Sequence, residues 1–288
     1  MSLDYWFLFP IAVMIATIAM ASGVEGATFF TPLFIILLGL PTDVAVGTGL
    51  ITEVFGFSSG VYAYVRRGFI DYQLGRTLLG VTIPVALLGT WLAKVIPDDV
   101  LKGILAVGLL AIAISFLRSP GSPQDEQLHS LPQTASTGEA ETNLTSTSGD
   151  RFRYRISNYR EGRLLASVGA LFLGMVSTGL GQLNGYFLIQ RCRVPSPVAV
   201  ATSVFIVAIT AAIASLGHVI QFIQAGDEVV NRVLSLVLFT VPGVLIGAQL
   251  GAMVASQLPQ SRLERSMGVL FILVSIILGA EIFLKNAT

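Results

Sequence analysis

Long apolar runs separated by short polar interludes dominate the chain. Apolar residues fill 5–21, 27–40, 44–65, 78–95 and 100–117, and then 164–176, 185–189, 198–216, 233–255 and 267–284. Crossing a bilayer core takes roughly 20 such residues in a helix; most of these runs reach or approach that length, whereas 27–40 and 185–189 fall short. Between the two sets, 119–150 is rich in Ser, Thr, Gln, Gly and Pro. Such a stretch cannot bury a core and reads as a disordered connection.

Two interruptions organise the rest. Ser22-Gly23-Val24-Glu25-Gly26-Ala27-Thr28 breaks the first run and leads to Pro41-Thr42-Asp43-Val44-Ala45-Val46-Gly47-Thr48-Gly49-Leu50. Ser177-Thr178-Gly179-Leu180-Gly181-Gln182 breaks a later run and leads to Pro195-Ser196-Pro197-Val198-Ala199-Val200-Ala201-Thr202-Ser203-Val204. Glycines and small polar residues inside apolar sequence are what a discontinuous membrane helix needs to expose backbone to a ligand. The likeness continues downstream, where Pro84, Gly89 and Leu92 recur at the same spacing as Pro242, Gly247 and Leu250, and Ile96-Pro97 recurs as Leu258-Pro259. The chain therefore divides into a first membrane repeat over 1–118, a cytoplasmic, largely disordered linker over 119–162, and a second repeat over 163–288. Each repeat is predicted to be a broken hairpin, re-entrant or partial, followed by three spanning helices.

Basic residues set the orientation, since they collect on cytoplasmic loops. Arg66, Arg67, Arg76, Arg118, the cluster from Arg151 to Arg163, the pair Arg191 and Arg193, and the pair Arg262 and Arg265 mark inside loops. Asp98 with Asp99, and Asp227 with Glu228, mark outside ones. These agree only if the Pro41 turn is outside and the Pro195 turn inside, which puts both termini outside and gives the halves opposite topology. Inverted repeats of this kind place a binding site at the bilayer midplane.

Composition narrows the class. The chain is 53% hydrophobic and 12% charged, with a formal net charge of zero; soluble domains carry about 25% charged residues. A multi-pass protein of the plasma or inner membrane is expected, in contact with lipid and without the basic footprint of a nucleic-acid binder. Ala19-Met20-Ala21 resembles a leader cleavage site, but Asp4 replaces the basic residues a leader begins with, and the run has a counterpart at 164–177; it is read as a span. The single cysteine, Cys192, rules out an internal disulfide or a multi-cysteine metal site and is read as packing. No cofactor or metal is expected.

A buried anion is costly unless donors are already aimed at it. The first N–H groups of a half-helix are such donors and carry no formal charge. The substrate-binding candidates are Ser22, Gly23, Gly26 and Thr28 at the first break with Thr48 and Thr52 below it, and Thr178, Gly179, Gly181, Gln182 and Asn184 at the second with Thr202 and Ser203 below it. The same residue types also line tight membrane-helix contacts, which is the competing explanation. Glu25 and Glu53 are the acids lying well inside the apolar segments and are candidates for proton coupling, with uncharged positions opposite them in the second half. His218, near the end of a span, is expected at a surface or interface. Gly56-Phe57-Ser58-Ser59-Gly60 matches a G-x-S-x-G nucleophile pattern and raises an intramembrane serine protease as an alternative, but it falls late in a continuous span rather than at an elbow.

The glycine-rich break, the Ala-Val-Gly-Thr-Gly-Leu segment with its second copy Ala-Val-Ala-Thr-Ser-Val, and the Pro-x-x-x-x-Gly-x-x-Leu spans resemble the TauE/SafE sulfite exporter family of membrane permeases. The resemblance covers nearly the whole chain outside the linker. It implies a secondary carrier that exports a small sulfur oxyanion or organosulfonate, such as sulfite or sulfoacetate; an anion uptake permease or channel is the alternative. Proton coupling and alternating access by rocking of one half against the other are further expectations, and a homodimer is compatible with them. The second break departs from the family's continuous glycine run and following proline, and the linker is long.

Overall fold

The computed structural model of the chain describes residues 5–22, 24–118, 142–147, 149–156, 158–254 and 260–287. Each apolar run becomes a helix, and the helices extend past the runs because their polar ends stay hydrogen-bonded. In the first half these are α1 (Leu8–Ser22), α2 (Ala27–Leu38), α3 (Thr42–Arg67), α4 (Tyr72–Val95) and α5 (Asp98–Arg118). The second half comprises α6 (Tyr159–Val176), α7 (Leu180–Gly185, continued by a π-helical turn Tyr186–Arg191), α8 (Ser196–Ala225), α9 (Asp227–Val254) and α10 (Gln260–Ala287). Among the described residues α3, α4, α5, α8, α9 and α10 are long and apolar enough to cross a membrane. The chain is an all-α, multi-pass membrane protein. At 12 residues, α2 is about 18 Å long and reaches only partway across a bilayer.

Helix ends follow local chemistry. Gly39 and Gly68 close α2 and α3 in the left-handed conformation, at φ 58° and 69°. Asp71 caps α4 by accepting from the Gln73 and Leu74 amides. At the second break Ser177 and Gly179 take φ values of 57° and 109°; the latter is open to glycine and few other residues.

The two halves interlock rather than sit side by side. α1 lies chiefly against α9 and α6 against α4, while α5 pairs with α10 and α3 with α8. Glycine makes the closest approaches possible. A Cβ at Gly247 would sit 2.4 Å from the Val13 carbonyl of α1, and one at Gly89 would sit 2.4 Å from the Leu171 carbonyl of α6. These are the two glycines that follow the repeated prolines, and they play matching parts in matching helix pairs. The threonines two residues before those prolines also match. Thr240 meets Thr52 of α3 and Thr82 meets Thr210 of α8, each pair at 2.9 Å.

Two apolar cores result. One is drawn mainly from α1, α2, α5, α9 and α10, the other mainly from α4, α6, α7 and α8, and α3 contributes to both. At one end of the bundle the Thr42 amide donates to Asp98, Lys94 to Gln224, and Arg232 to the Leu38 carbonyl. At the other end the α3–α4 turn meets the start of α8, where the Asp71 amide donates to the Thr202 hydroxyl at 3.0 Å.

Of the linker, 119–141 lies outside the described residues, while its later part is folded. Its residues Thr142–Thr145 and Arg151–Tyr154 form an antiparallel hairpin, β1 and β2, that docks on the α3–α4 turn. Thr147 donates its amide to the Arg67 carbonyl and its hydroxyl to the Arg66 carbonyl, the Tyr154 hydroxyl donates to Asp71 Oδ2 at 2.8 Å, and the Phe152 ring meets Phe69 edge-on. Leu144, Phe152 and Tyr154 give the hairpin an apolar face that pays for its ordering, which the polar composition of the surrounding stretch conceals.

Candidate functional site

The two interruptions meet inside the bundle. The Thr28 hydroxyl donates to the Thr178 hydroxyl at 2.9 Å, and the Thr31 and Ser177 hydroxyls are hydrogen-bonded. Glu25 reaches across from the α1–α2 break to the start of α7. Its Oε2 accepts from the Gly179 amide at 3.0 Å and its Oε1 from the Gly181 amide. Gly181 must be glycine for this: a Cβ there would lie 2.8 Å from Glu25 Oε1. Glu53, near the middle of α3, accepts the Ala27 amide at the start of α2 on its Oε1 at 3.2 Å.

These contacts revise the expected chemistry. Amides at both breaks are already satisfied by carboxylates of the first half, so they are not open donors awaiting a ligand. Glu25 and Glu53 thus cap the breaks by accepting backbone amides, a structural role beside the expected one in proton coupling.

Beside the first break lies a chamber of about 110 Å³, whose wall includes Gly26, Phe30, Glu53, Tyr64, Val204 and Val244. Glu53 is 3% exposed, and its Oε2 has no hydrogen-bond partner among the described residues. A larger vestibule of about 500 Å³ carries Ser59, Tyr62, Arg66, Arg67 and Gln249. Chamber and vestibule share Met20, Gly60 and Ala248, so they adjoin. Glu53 and Arg66 are separated by about 20 Å along α3, at 1.5 Å per residue.

Of the sequence-predicted residues, Gly26 and Glu53 face the chamber. Gly23 lies outside the described residues, as does the side chain of Ser22. Thr28, Thr178, Gly179 and Gly181 form the contact between breaks and are absent from the chamber wall. Gln182 and Asn184 sit just beyond, each with one buried polar atom that has no partner among the described residues. Thr48 and Thr52 spend their hydroxyls on carbonyls one turn back in α3, and Thr52 also meets Thr240. Thr202 receives the Asp71 amide at the end of the bundle, and Ser203 is buried away from the chamber wall. Period and composition place hydroxyls on the right helices but cannot say which side of each helix turns inward.

His218 is not at a surface. It is fully buried, with Nε2 3.1 Å from the Gly174 carbonyl and its ring packed near Phe222. The signal was Gly47 in the facing helix, because a Cβ at that position would overlap both rings. Cys192 is buried in the second core, as its packing role requires. Ser58 donates to the Val54 carbonyl of its own helix at 2.7 Å and is exposed, which is not the geometry of a nucleophile held by a base.

Comparison with known proteins agrees with this picture. The probable membrane transporter protein YjnA of Bacillus subtilis (strain 168) is 28% identical over 80% of this chain and 83% of its own length. YunE of the same organism, also a probable membrane transporter protein, is 24% identical over 81% and 79%. A probable membrane transporter protein, ORF9, from Sinorhizobium sp is 31% identical over 42% of this chain, a match that spans 46% of that relative. No solved structure gives a significant match. The model of the sulfite exporter TauE/SafE family matches residues 8–278, and with six spanning helices behind that match the chain belongs to this family of membrane transporters and is not an enzyme.

Proposed function

We propose that this protein is a secondary carrier that exports a small sulfur-containing anion, sulfite or a short organosulfonate, by alternating access at a midplane site. One observation carries the reading: the chamber adjoins a vestibule holding Arg66 and Arg67, while the joined breaks stand next to it. A solute entering past the two guanidinium groups meets the chamber at Gly26 and Glu53. Arginines at an inner mouth raise the local concentration of anions.

The inverted repeat belongs to the same proposal. The Pro41 turn shares its end of the bundle with Asp98 and Arg232, and the Pro195 turn shares the other end with Asp71 and the hairpin, as opposite topologies require. With the basic end inside, the vestibule is cytoplasmic, the membrane is the plasma or inner membrane, and export runs from vestibule to chamber and onward. Glu25 and Glu53 are the candidate proton carriers, since a substrate anion and a carboxylate compete for the same break amides. The moving bodies are the two apolar cores rather than the two sequence halves. Uptake of the anion by the same route is the second reading, distinguished by the sidedness of the gradient that drives it.

Counterflow tests the proposal. Proteoliposomes loaded with unlabelled sulfite should accumulate labelled sulfite transiently, and excess sulfoacetate, sulfate or thiosulfate outside should rank the competitors. Absence of counterflow with every one of these anions as the loaded species would overturn it.

A further inference from the structure

The chamber wall poses a problem for any anion. Among the described residues its lining contains no lysine, arginine or histidine; guanidinium groups stand in the adjoining vestibule. Its one acid, Glu53, would repel an anion if ionised, and an ionised carboxylate buried in an apolar wall needs partners on both oxygens. Among the described residues Oε1 accepts the Ala27 amide and Oε2 has no hydrogen-bond partner, with the Gly26 amide the next donor near the carboxyl. That is the pattern of a neutral carboxyl, whose carbonyl oxygen accepts while its hydroxyl waits for an acceptor.

Size limits what can supply the acceptor. About 110 Å³ is well below the roughly 300–1,000 Å³ of sites that take drug-sized ligands. It has room for an ion built on a single central atom, and the apolar wall of Phe30, Val204 and Val244 offers nothing to a second charged group.

Resting on the export reading, we infer that the chamber seats one single-centre oxyanion of the sulfite type against a neutral Glu53, the Oε2 hydroxyl donating to an anion oxygen, and excludes sulfonates that carry a further carboxylate. Anion and proton then occupy the chamber together without any bond being made or broken, and the chamber holds one less negative charge than it would with the same anion beside an ionised Glu53. The titratable and charged groups in reach of Glu53 are few. Glu25 faces it from the first break, Tyr64 lines the same chamber from α3, and Arg66 and Arg67 stand in the adjoining vestibule. Among the described side chains, the segments of α1, α8 and α9 in the wall contribute only apolar ones.

Infrared difference spectroscopy of the protein in lipid nanodiscs reads the carboxyl directly. Adding sulfite to the wild type should shift the C=O stretch of a protonated carboxyl, and Glu53→Gln should remove that band while Glu25→Gln keeps it. Sulfoacetate at the same concentration should leave the band in place. Glu53→Leu, which removes the donor, should weaken sulfite by about tenfold or more, the effect of losing one hydrogen bond to a charged group. A wild type that exchanges sulfite in proteoliposomes without any carboxyl shift overturns this inference and leaves the export reading standing. A shift produced by sulfite in a protein that shows no counterflow does the reverse. An equal shift with sulfoacetate overturns the size limit. Since the wild-type spectrum alone decides the first point, a variant that does not fold cannot hide the answer.

Discussion

Replacing Glu25 by Gln removes one of the two acceptors that hold the breaks together. Each carboxylate oxygen receives one glycine amide, from Gly179 and from Gly181. A glutamine keeps one oxygen and turns an NH₂ toward the other amide, so one buried N–H loses its acceptor and faces a second donor. Losing a hydrogen bond to a charged group costs about 1.5–3 kcal/mol, which is roughly 10- to 150-fold in the equilibrium between joined and parted breaks. Hydrogen exchange resolved to single amides is the assay: Gly179 and Gly181 should exchange faster by about that factor, while amides of α9 beside Gly247 keep their protection. Gly181→Ala perturbs the same contact from the other side, since its Cβ would stand 2.8 Å from the carboxylate. The double variant should therefore lose little more than the worse single one, as expected for two changes acting on one interaction. Unchanged exchange at both glycines in Glu25→Gln, or full additivity in the double variant, would refute the claim that this carboxylate joins the breaks.

Two further predictions concern what holds the bundle around that contact. Gly247→Ala and Gly89→Ala should each lower stability by about 1–3 kcal/mol, because the new methyl meets a backbone carbonyl that cannot give way; Gly80→Ala, with nothing within 4 Å, should be neutral or slightly stabilising. Thermal unfolding in one detergent checks all three. Tyr154→Phe should free the hairpin, read as faster proteolysis between β1 and β2, because buried Asp71 loses the hydroxyl that donates to it. Burial, and then the Asp71 charge, push the Tyr154 hydroxyl above the ordinary tyrosine value. Its contribution is therefore fully present below about pH 10 and is lost as pH rises further, so the wild-type hairpin should stay protected through neutral pH and loosen only in strong alkali.

The fold was legible because lipid leaves the chain few choices: every apolar run had to become a helix, and the repeated Pro-Gly spacing marked the glycines at which α4 meets α6 and α9 meets α1. The site was legible to the level of its segments. Glu25, Glu53 and Gly26 stood out as polar or glycine positions in apolar sequence; the structure brings Gly26 and Glu53 to the chamber wall and Glu25 to the junction of the breaks. What could not be read was partnership across the chain. Nothing local tells Glu25 to bind amides 154 and 156 residues away, or tells Thr202 to receive the Asp71 amide instead of facing a ligand. The hairpin was hidden for a related reason, since its apolar face is three residues in a polar stretch and gains meaning only against Phe69 and Asp71.

The interlocking of the halves decides which parts can move. Rocking 1–118 against 163–288 would have to break α1 from α9, α4 from α6 and α5 from α10, where glycine brings backbones into direct contact. Those are the interfaces least able to slide, because packed cores are not continuously deformable. The two apolar cores each take helices from both halves and share α3, which packs on α8 and on α9; where the breaks meet, the contacts between them are of another kind: hydroxyl pairs at Thr28–Thr178 and Thr31–Ser177, and one carboxylate on two amides. Hydroxyls and amides can exchange these partners for water or an anion, and the carboxylate its amides for water, at small net cost, whereas interdigitated backbones cannot. On the proposed carrier function, the transition that opens the chamber to the opposite face would therefore part the breaks along the seam that Glu25 spans, with α1 still seated on α9 and α6 on α4.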